Sequence, residues 1–194
     1  MSMKIYQIRI ELTRIKPKIW RRLLIPSDLL LSDFHKIIQT SMGWTNSHLH
    51  QFIKSRTFYT ERVQGDNTWG ELNNVDYKKL KISFLLKKEK GKIVYEYDFG
   101  DGWEHIALLE KILPFDEKLK YPVCLAGEMN CPPDDCGGVD GYSDLVEILK
   151  NPKHKEYESY IEWLGGVFDP KHFDKKLVNE MLQTEDFRCI ELDD

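Results

Sequence analysis

Ile93-Val94-Tyr95-Glu96-Tyr97-Asp98-Phe99-Gly100-Asp101-Gly102-Trp103-Glu104-His105-Ile106 is the stretch whose reading decides the fold. Ile93, Tyr95, Tyr97 and Phe99 recur at every second position, the period of a strand with one face on a core. Gly100-Asp101-Gly102 is turn chemistry, and Glu104 to Ile112 reads as the returning strand. Immediately upstream, Leu80, Ile82, Phe84 and Leu86 also alternate, and Lys88-Glu89-Lys90-Gly91 turns the chain. The whole segment therefore reads as an antiparallel meander.

Working outward, Tyr6, Ile8, Ile10 and Leu12 alternate with Gln7, Arg9 and Glu11, which predicts another half-buried strand. Lys16-Pro17 breaks it, Ile19 to Ile25 reads as its hairpin partner, and Pro26 ends that strand. Ser32 is placed to cap a helix that carries Phe34, Ile37, Ile38 and Met42 on one face and stops at Gly43. Leu49 to Ile53 is a third strand, and Glu61 to Tyr77, with Gly65-Asp66-Asn67 and Asn73-Asn74, is a long loop. Tyr121 to Gly141 is rich in Cys, Pro, Gly and Asp and reads as an ordered, irregular loop. Ser143 then caps a helix ending at Asn151-Pro152. Tyr157, Tyr160, Ile161 and Leu164 mark a second helix, stopped by Gly165-Gly166. Asp169-Pro170 opens a third, with Phe173, Leu177 and Met181 inward.

These elements predict an α+β fold in a single domain over residues 1–183, followed by a tail over 184–194. The sheet is mixed and mostly antiparallel, with the early helix packed on it and a C-terminal layer of about three helices. The chain has 194 residues, is 41% hydrophobic and 12% aromatic, and carries a net charge of -4, values of a globular protein without general attraction to nucleic acid or anionic membrane. No apolar run approaches membrane-spanning length and no signal-peptide core follows Met1, so a cytoplasmic location without membrane partners is expected. In that compartment the four cysteines are a metal or redox question rather than disulfides.

Trp20-Arg21-Arg22, Gly43-Trp44 with His48-Leu49, Tyr95 to His105, Pro132-Pro133-Asp134-Asp135, Gly137-Gly138 with Gly141-Tyr142, and Trp163-Leu164-Gly165 with Phe168-Asp169-Pro170 occur in that order. Together they resemble the plasmid pRiA-type ORF-3-like family, whose members are often labelled TnpR-type passenger proteins of insertion elements. The resemblance spans Tyr6 to Leu182, with Asp134 standing where the family more often has Glu. It implies an α+β fold and a bacterial, archaeal or plasmid-borne context, and no particular activity. The recombinase label has no counterpart in the residues. Neither a nucleophilic Ser among arginines nor an Arg-His-Arg-Tyr set is present.

Several groups can carry chemistry. Asp98, Asp101 and His105 at the hairpin tip offer carboxylate oxygens and an imidazole nitrogen, a set suited to a divalent cation or to acid–base work. The same Asp and Gly residues are also what a tight turn requires. Tyr97 and Trp103 flank them as recognition or core aromatics. Asp134 and Asp135 sit in a proline-braced loop that lines a pocket or simply spans a connection. Cys124, Cys131 and Cys136 are candidate zinc ligands, with His105, His154 or Asp135 as fourth ligand, or else buried reduced thiols. Trp20, Arg21 and Arg22, with Arg9, Arg14, Lys16 and Lys18, form the best basic patch for nucleic acid, although strand alternation splits Arg21 from Arg22. His48-x-His50 places both rings on one strand face, a weak metal pair, and His35 reads as a packing residue. The expectation is a plasmid- or mobile-element-associated binding module whose acidic turn and cysteine loop form one face toward nucleic acid or a partner protein. The alternative is a metal-dependent hydrolase, perhaps of phosphodiesters. The divalent metal would be zinc, magnesium or manganese.

Overall fold

In the computed structural model, which describes residues 3–62 and 73–189, the strands form one eight-stranded sheet. They are β1 (Lys4–Leu12), β2 (Trp20–Pro26), β3 (His50–Lys54), β4 (Thr57–Thr60), β5 (Asn74–Asp76), β6 (Lys92–Tyr97), β7 (Trp103–Pro114) and β8 (Val123–Glu128). Their order across the sheet is β5-β4-β3-β6-β7-β1-β2-β8. Every neighbouring pair is antiparallel except β4 with β5. The helices are α1 (Leu31–Met42), α2 (Ile82–Leu85), α3 (Gly138–Leu149), α4 (Tyr157–Trp163) and α5 (Lys175–Leu182). None is long and apolar enough to cross a membrane. The fold is α+β, as the alternation of the strands and the apolar faces of the helices predict.

One sheet face is the core. Ile8, Ile10 and Leu12 of β1, Tyr95 and Tyr97 of β6, and Trp103, His105 and Ala107 of β7 point inward, each one position out of phase with exposed or half-exposed neighbours. Phe34, Ile37 and Ile38 of α1 close over them. At the far edge, α5 covers β8. The Asn179 amide accepts from the Cys124 N–H at 2.8 Å and donates to its carbonyl at 3.0 Å, which satisfies an edge that would otherwise template aggregation.

Several predicted boundaries change. Leu80 to Leu86 is not a strand. Only Lys81 makes a bridge, to Leu30, and the chain then turns into α2. The buried residues there are Ile82, Leu85 and Leu86, at helical spacing, while Phe84 stays exposed. The Tyr121–Gly141 loop contains β8 and, from Gly138, the start of α3, so Ser143 lies inside that helix rather than capping it. Ser32 likewise lies inside α1, while Gly43 does end it, with φ at 104° and its N–H on the Gln39 carbonyl. The last helix begins after Asp174, whose side chain accepts from the Leu177 N–H at 3.0 Å, rather than at Asp169-Pro170. Asn74–Asp76, read as loop, pairs with β4, whereas Gly65-Asp66-Asn67 lies outside the described residues. The expected tail starts with a docked 3-10 turn, Glu185–Arg188. Thr40 Oγ1 of α1 donates to the Phe187 carbonyl at 2.6 Å, and Lys36 pairs with Asp186 at 3.0 Å.

Candidate functional site

The β6–β7 hairpin closes on the pair Tyr97 and Trp103. Asp98 then takes φ at 55°, a left-handed conformation that Asp tolerates because its short side chain can bond the local backbone. Its Oδ1 accepts the Gly100 N–H at 2.9 Å and the Asp101 N–H at 3.3 Å. One oxygen of this buried carboxylate thus builds the turn, and the other, Oδ2, faces His48 at 3.7 Å.

The acidic turn and the Asp134–Gly138 loop meet. Asp101 Oδ2 accepts the Gly137 N–H at 3.2 Å. Gly138, at φ 68°, packs so closely that a Cβ there would sit 2.7 Å from the Asp101 carbonyl oxygen. Gly138→Ala is therefore expected to cost about 1–3 kcal/mol, through a strained φ and a backbone clash together. Urea denaturation is the check, and an unchanged midpoint would mean the two loops are not held in this contact. On the same side, Asp134 Oδ2 accepts from Thr45 Oγ1 at 2.8 Å, and Asp135 projects outward from a left-handed backbone.

These contacts bring His48, Asp98 and Asp135 together. One ligand-capable atom from each lies within 4.8 Å of the others. His48 Nε2 is 3.3 Å from Asp135 Oδ1 and 3.7 Å from Asp98 Oδ2, yet it is buried and hydrogen-bonds to neither. A nitrogen and two carboxylate oxygens this close together are the donor types that a divalent cation takes. Two apolar side chains adjoining this cluster in sequence remain in solvent, Leu49 at 63% exposure and Phe99 at 49%.

His105, by contrast, does not join Asp98 and Asp101. It follows Trp103 by two residues on β7 and so shares its inward face, fully buried. Its Nδ1 lies 3.2 Å from the Tyr95 carbonyl, and the Trp44 ring meets it edge-on at 5.1 Å. Burial, with some relief from backbone hydrogen bonds, pushes its pKa down to about 4. Tyr97 and Trp103 are also core. Trp44 lies 4.7 Å from the Tyr97 ring and 6.3 Å from Trp103, and burial is the main cause that pushes the Tyr97 hydroxyl up.

His48 and His50 part company as well. His48 precedes β3 and belongs to the cluster. His50, within β3, turns inward to stack on His35 with ring centroids 3.4 Å apart. Reading both by strand alternation missed this because the strand starts only at His50. The cross-strand register His50 to Tyr97 is the signal that sets His48 opposite the turn.

The thiols do not assemble into a ligand set among the described residues. Cys124 and Cys131 are buried, Cys136 partly so, and burial raises all three, Cys136 to about 12. His154 sits against Glu156 on the surface. The basic patch is split between the two sheet faces, and Arg9, Lys18 and Arg22 are paired with carboxylates. Arg21 is buried. Trp20 lies between Arg9 at 4.3 Å and Arg22 at 5.2 Å, and Arg22 is held bidentately by Glu110 at 2.6 and 2.8 Å. Arg9 and Lys18 share Glu11. A groove of about 670 Å³ beside α3, lined by Arg14, Tyr142, Val146 and Phe168 among others, does not include the cluster.

Comparison with known proteins gives a consistent placement. The family of plasmid pRiA4b ORF-3-like proteins matches residues 4–177. An uncharacterized protein of Sinorhizobium fredii, y4hQ, is 32% identical over 167 residues, covering 86% of this chain and 84% of its own. A crystal structure of a protein of unknown function from Methanosarcina mazei Go1, MM3350, superposes with a TM-score of 0.78 at 39% identity, over 91% of this chain and 98% of that one. Neither relative is described as a recombinase. With the match covering most of the chain and the sheet topology common to a solved relative, this protein belongs to the plasmid pRiA4b ORF-3-like family.

Proposed function

We propose that the chain is a cation-binding recognition module. His48, Asp98 and Asp135 hold a divalent metal at the end of the sheet, and the exposed Leu49 and Phe99 beside them extend the face toward a partner. The observation that carries this reading is His48 Nε2, a buried nitrogen left without a hydrogen bond between two carboxylate oxygens. Such an atom is costly unless another group satisfies it. One imidazole and two carboxylates favour manganese or zinc over magnesium, which prefers oxygen alone. A module accounts for the site better than an enzyme does. Asp101 and one oxygen of Asp98 are occupied in binding backbone N–H groups, and His105 is sealed in the core.

Calorimetric titration of chelator-treated protein with Mn2+, Zn2+ and Mg2+ tests the reading. Stoichiometric binding of Mn2+ or Zn2+ is expected, with at least a roughly tenfold loss in Asp135→Asn, since removal of a charged ligand weakens a three-ligand site severely. Asp135 is 71% exposed, so that variant keeps the fold. No heat in the native chain, or equal affinity in the variant, removes the proposal. The same exposure favours the second reading, a metal-dependent hydrolase, because a cation there keeps positions open to solvent. Turnover of bis(p-nitrophenyl) phosphate with Mn2+, absent in Asp135→Asn, would select it.

A further inference from the structure

A closed ring of hydrogen bonds lies inside the core next to the cluster. His35 Nε2 meets Asn46 Oδ1 at 2.8 Å, and the Asn46 backbone N–H donates to Gln39 Oε1 at 3.1 Å. Gln39 Nε2 donates to the Tyr95 hydroxyl at 2.9 Å, and that hydroxyl returns to His35 Nδ1 at 2.8 Å. All four residues are buried. The acceptor at Asn46 puts the imidazole proton on Nε2, so Nδ1 accepts from Tyr95, and every polar atom in the circuit has a defined role. Burial holds His35 neutral, with its pKa pushed down to about 4, which this arrangement of one donor and one acceptor requires.

The ring grips the segment that leads into His48. Asn46 is left-handed, at φ 58°, and its two neighbours reach two other partners. Thr45 Oγ1 donates to Asp134 and the Ser47 N–H to the Tyr97 hydroxyl at 3.2 Å. Asn46 is the member of the trio held by two buried side chains of α1, His35 and Gln39. Two residues later the chain delivers the His48 ring to Asp98 and Asp135. Resting on the cation reading above, we infer that His35 and Asn46 are positioning residues for the metal site: their hydrogen bond sets the backbone from which His48 is aimed, without either touching the ion. The atoms that hold a ligand ring in place commonly matter nearly as much as the ligand.

The test is Mn2+ titration of full-length variants. Asn46→Gly keeps the left-handed backbone and removes the acceptor. His35→Phe keeps the planar ring and removes the donor, and His35→Gln keeps a donor near the Nε2 position. Asn46→Gly and His35→Phe are expected to weaken Mn2+ about tenfold, with His35→Gln within about threefold of the native chain. A purely structural role would lower the melting temperature of all three without changing the Kd of the folded fraction, so circular dichroism melts accompany each titration. Native affinity in Asn46→Gly and His35→Phe overturns the inference while leaving the site intact. Failure of the site itself is read separately, as absence of binding in the native chain or indifference to Asp135→Asn. If His35→Phe fails to fold, Asn46→Gly alone decides by the same criterion.

Discussion

Arg21→Ala is expected to destabilise the chain by about 3–5 kcal/mol, while Arg22→Ala, at the next position, costs no more than about 1 kcal/mol. The contrast follows from strand alternation. Arg22 points to the solvent face, where its pair with Glu110 is screened. Arg21 points inward, 1% exposed, and makes no ion pair among the described residues. Its charge is balanced by carbonyl oxygens instead. Nε donates to Ser41 at 2.7 Å, and Nη1 to Trp20 at 2.8 Å and Glu128 at 2.9 Å, while the guanidinium stacks on Phe173 at 4.1 Å. Ser41 lies in the last turn of α1, a turn with no cation of its own, so Arg21 supplies from β2 the positive charge that a helix C-terminus favours. Its truncation strands carbonyls from three elements, the one at Ser41 buried, and removes the plate under Phe173. Guanidinium denaturation of the two variants is the measurement. Equal midpoints would show that the buried arginine is not what joins α1, β2 and β8.

How much of this was readable beforehand depends on where the information resides. β1, β6 and β7 have one dry face, so their period-two alternation is written in the residues. The left-handed stop of α1 at Gly43 is equally local. β4 was invisible because the β3–β4 turn is made by Ser55 and Arg56, both at positive φ, and neither advertises such a turn as Gly or Asn would. β8 was hidden in a Cys- and Gly-bearing segment that becomes a strand only by pairing with β2. The alternation of Leu80 to Leu86 misleads because the segment also holds Leu85, so that Ile82, Leu85 and Leu86 give a helical face alongside the strand-spaced set. In the site, the carboxylates of the turn stood out from composition. The imidazole that meets them did not, since His105 is near in sequence and His48 is near only through the β3–β6 register. The contact between the turn and the Asp134–Gly138 loop is a tertiary fact, carried by one side-chain bond and one close glycine.

Stability is expected to fall steeply as the pH drops from about 6.5 toward 4, ahead of ordinary acid denaturation. Two histidines, His35 and His105, are buried neutral, and a third, His50, is half-buried beside His35. His35 and His105 are each pushed down to about 4 and His50 lies well below its ordinary value, in every case chiefly through burial. The groups facing them add no compensating negative charge. His35 meets Tyr95, Asn46 and the stacked His50, with Lys36 nearby. His50 meets Tyr77, and His105 meets Tyr95 and Trp44, with Arg21 nearby. A depressed folded-state pKa means that the unfolded chain takes up protons first. Stability is therefore full above pH 6.5, declines as pH falls, and the penalty saturates for His35 and His105 below about 4. A shift from 6.5 to about 4 corresponds to roughly 3 kcal/mol for each of those two rings. Together they rival the total stability of a typical domain, about 5–15 kcal/mol. The carboxylates Glu11 and Glu110, held low by their cationic partners against the cost of burial, act in a different window, below about 4.5. Urea denaturation in steps from pH 7.5 to 4.5 resolves the two windows. His105→Phe, which keeps a ring in the core and cannot ionise, should flatten the slope between pH 6.5 and 5 by about 1.4 kcal/mol per pH unit, the contribution of one titrating group. A slope unchanged in that variant would mean that His105 is already accessible to protons in the folded chain, and that the sealed core under the acidic turn opens on its own.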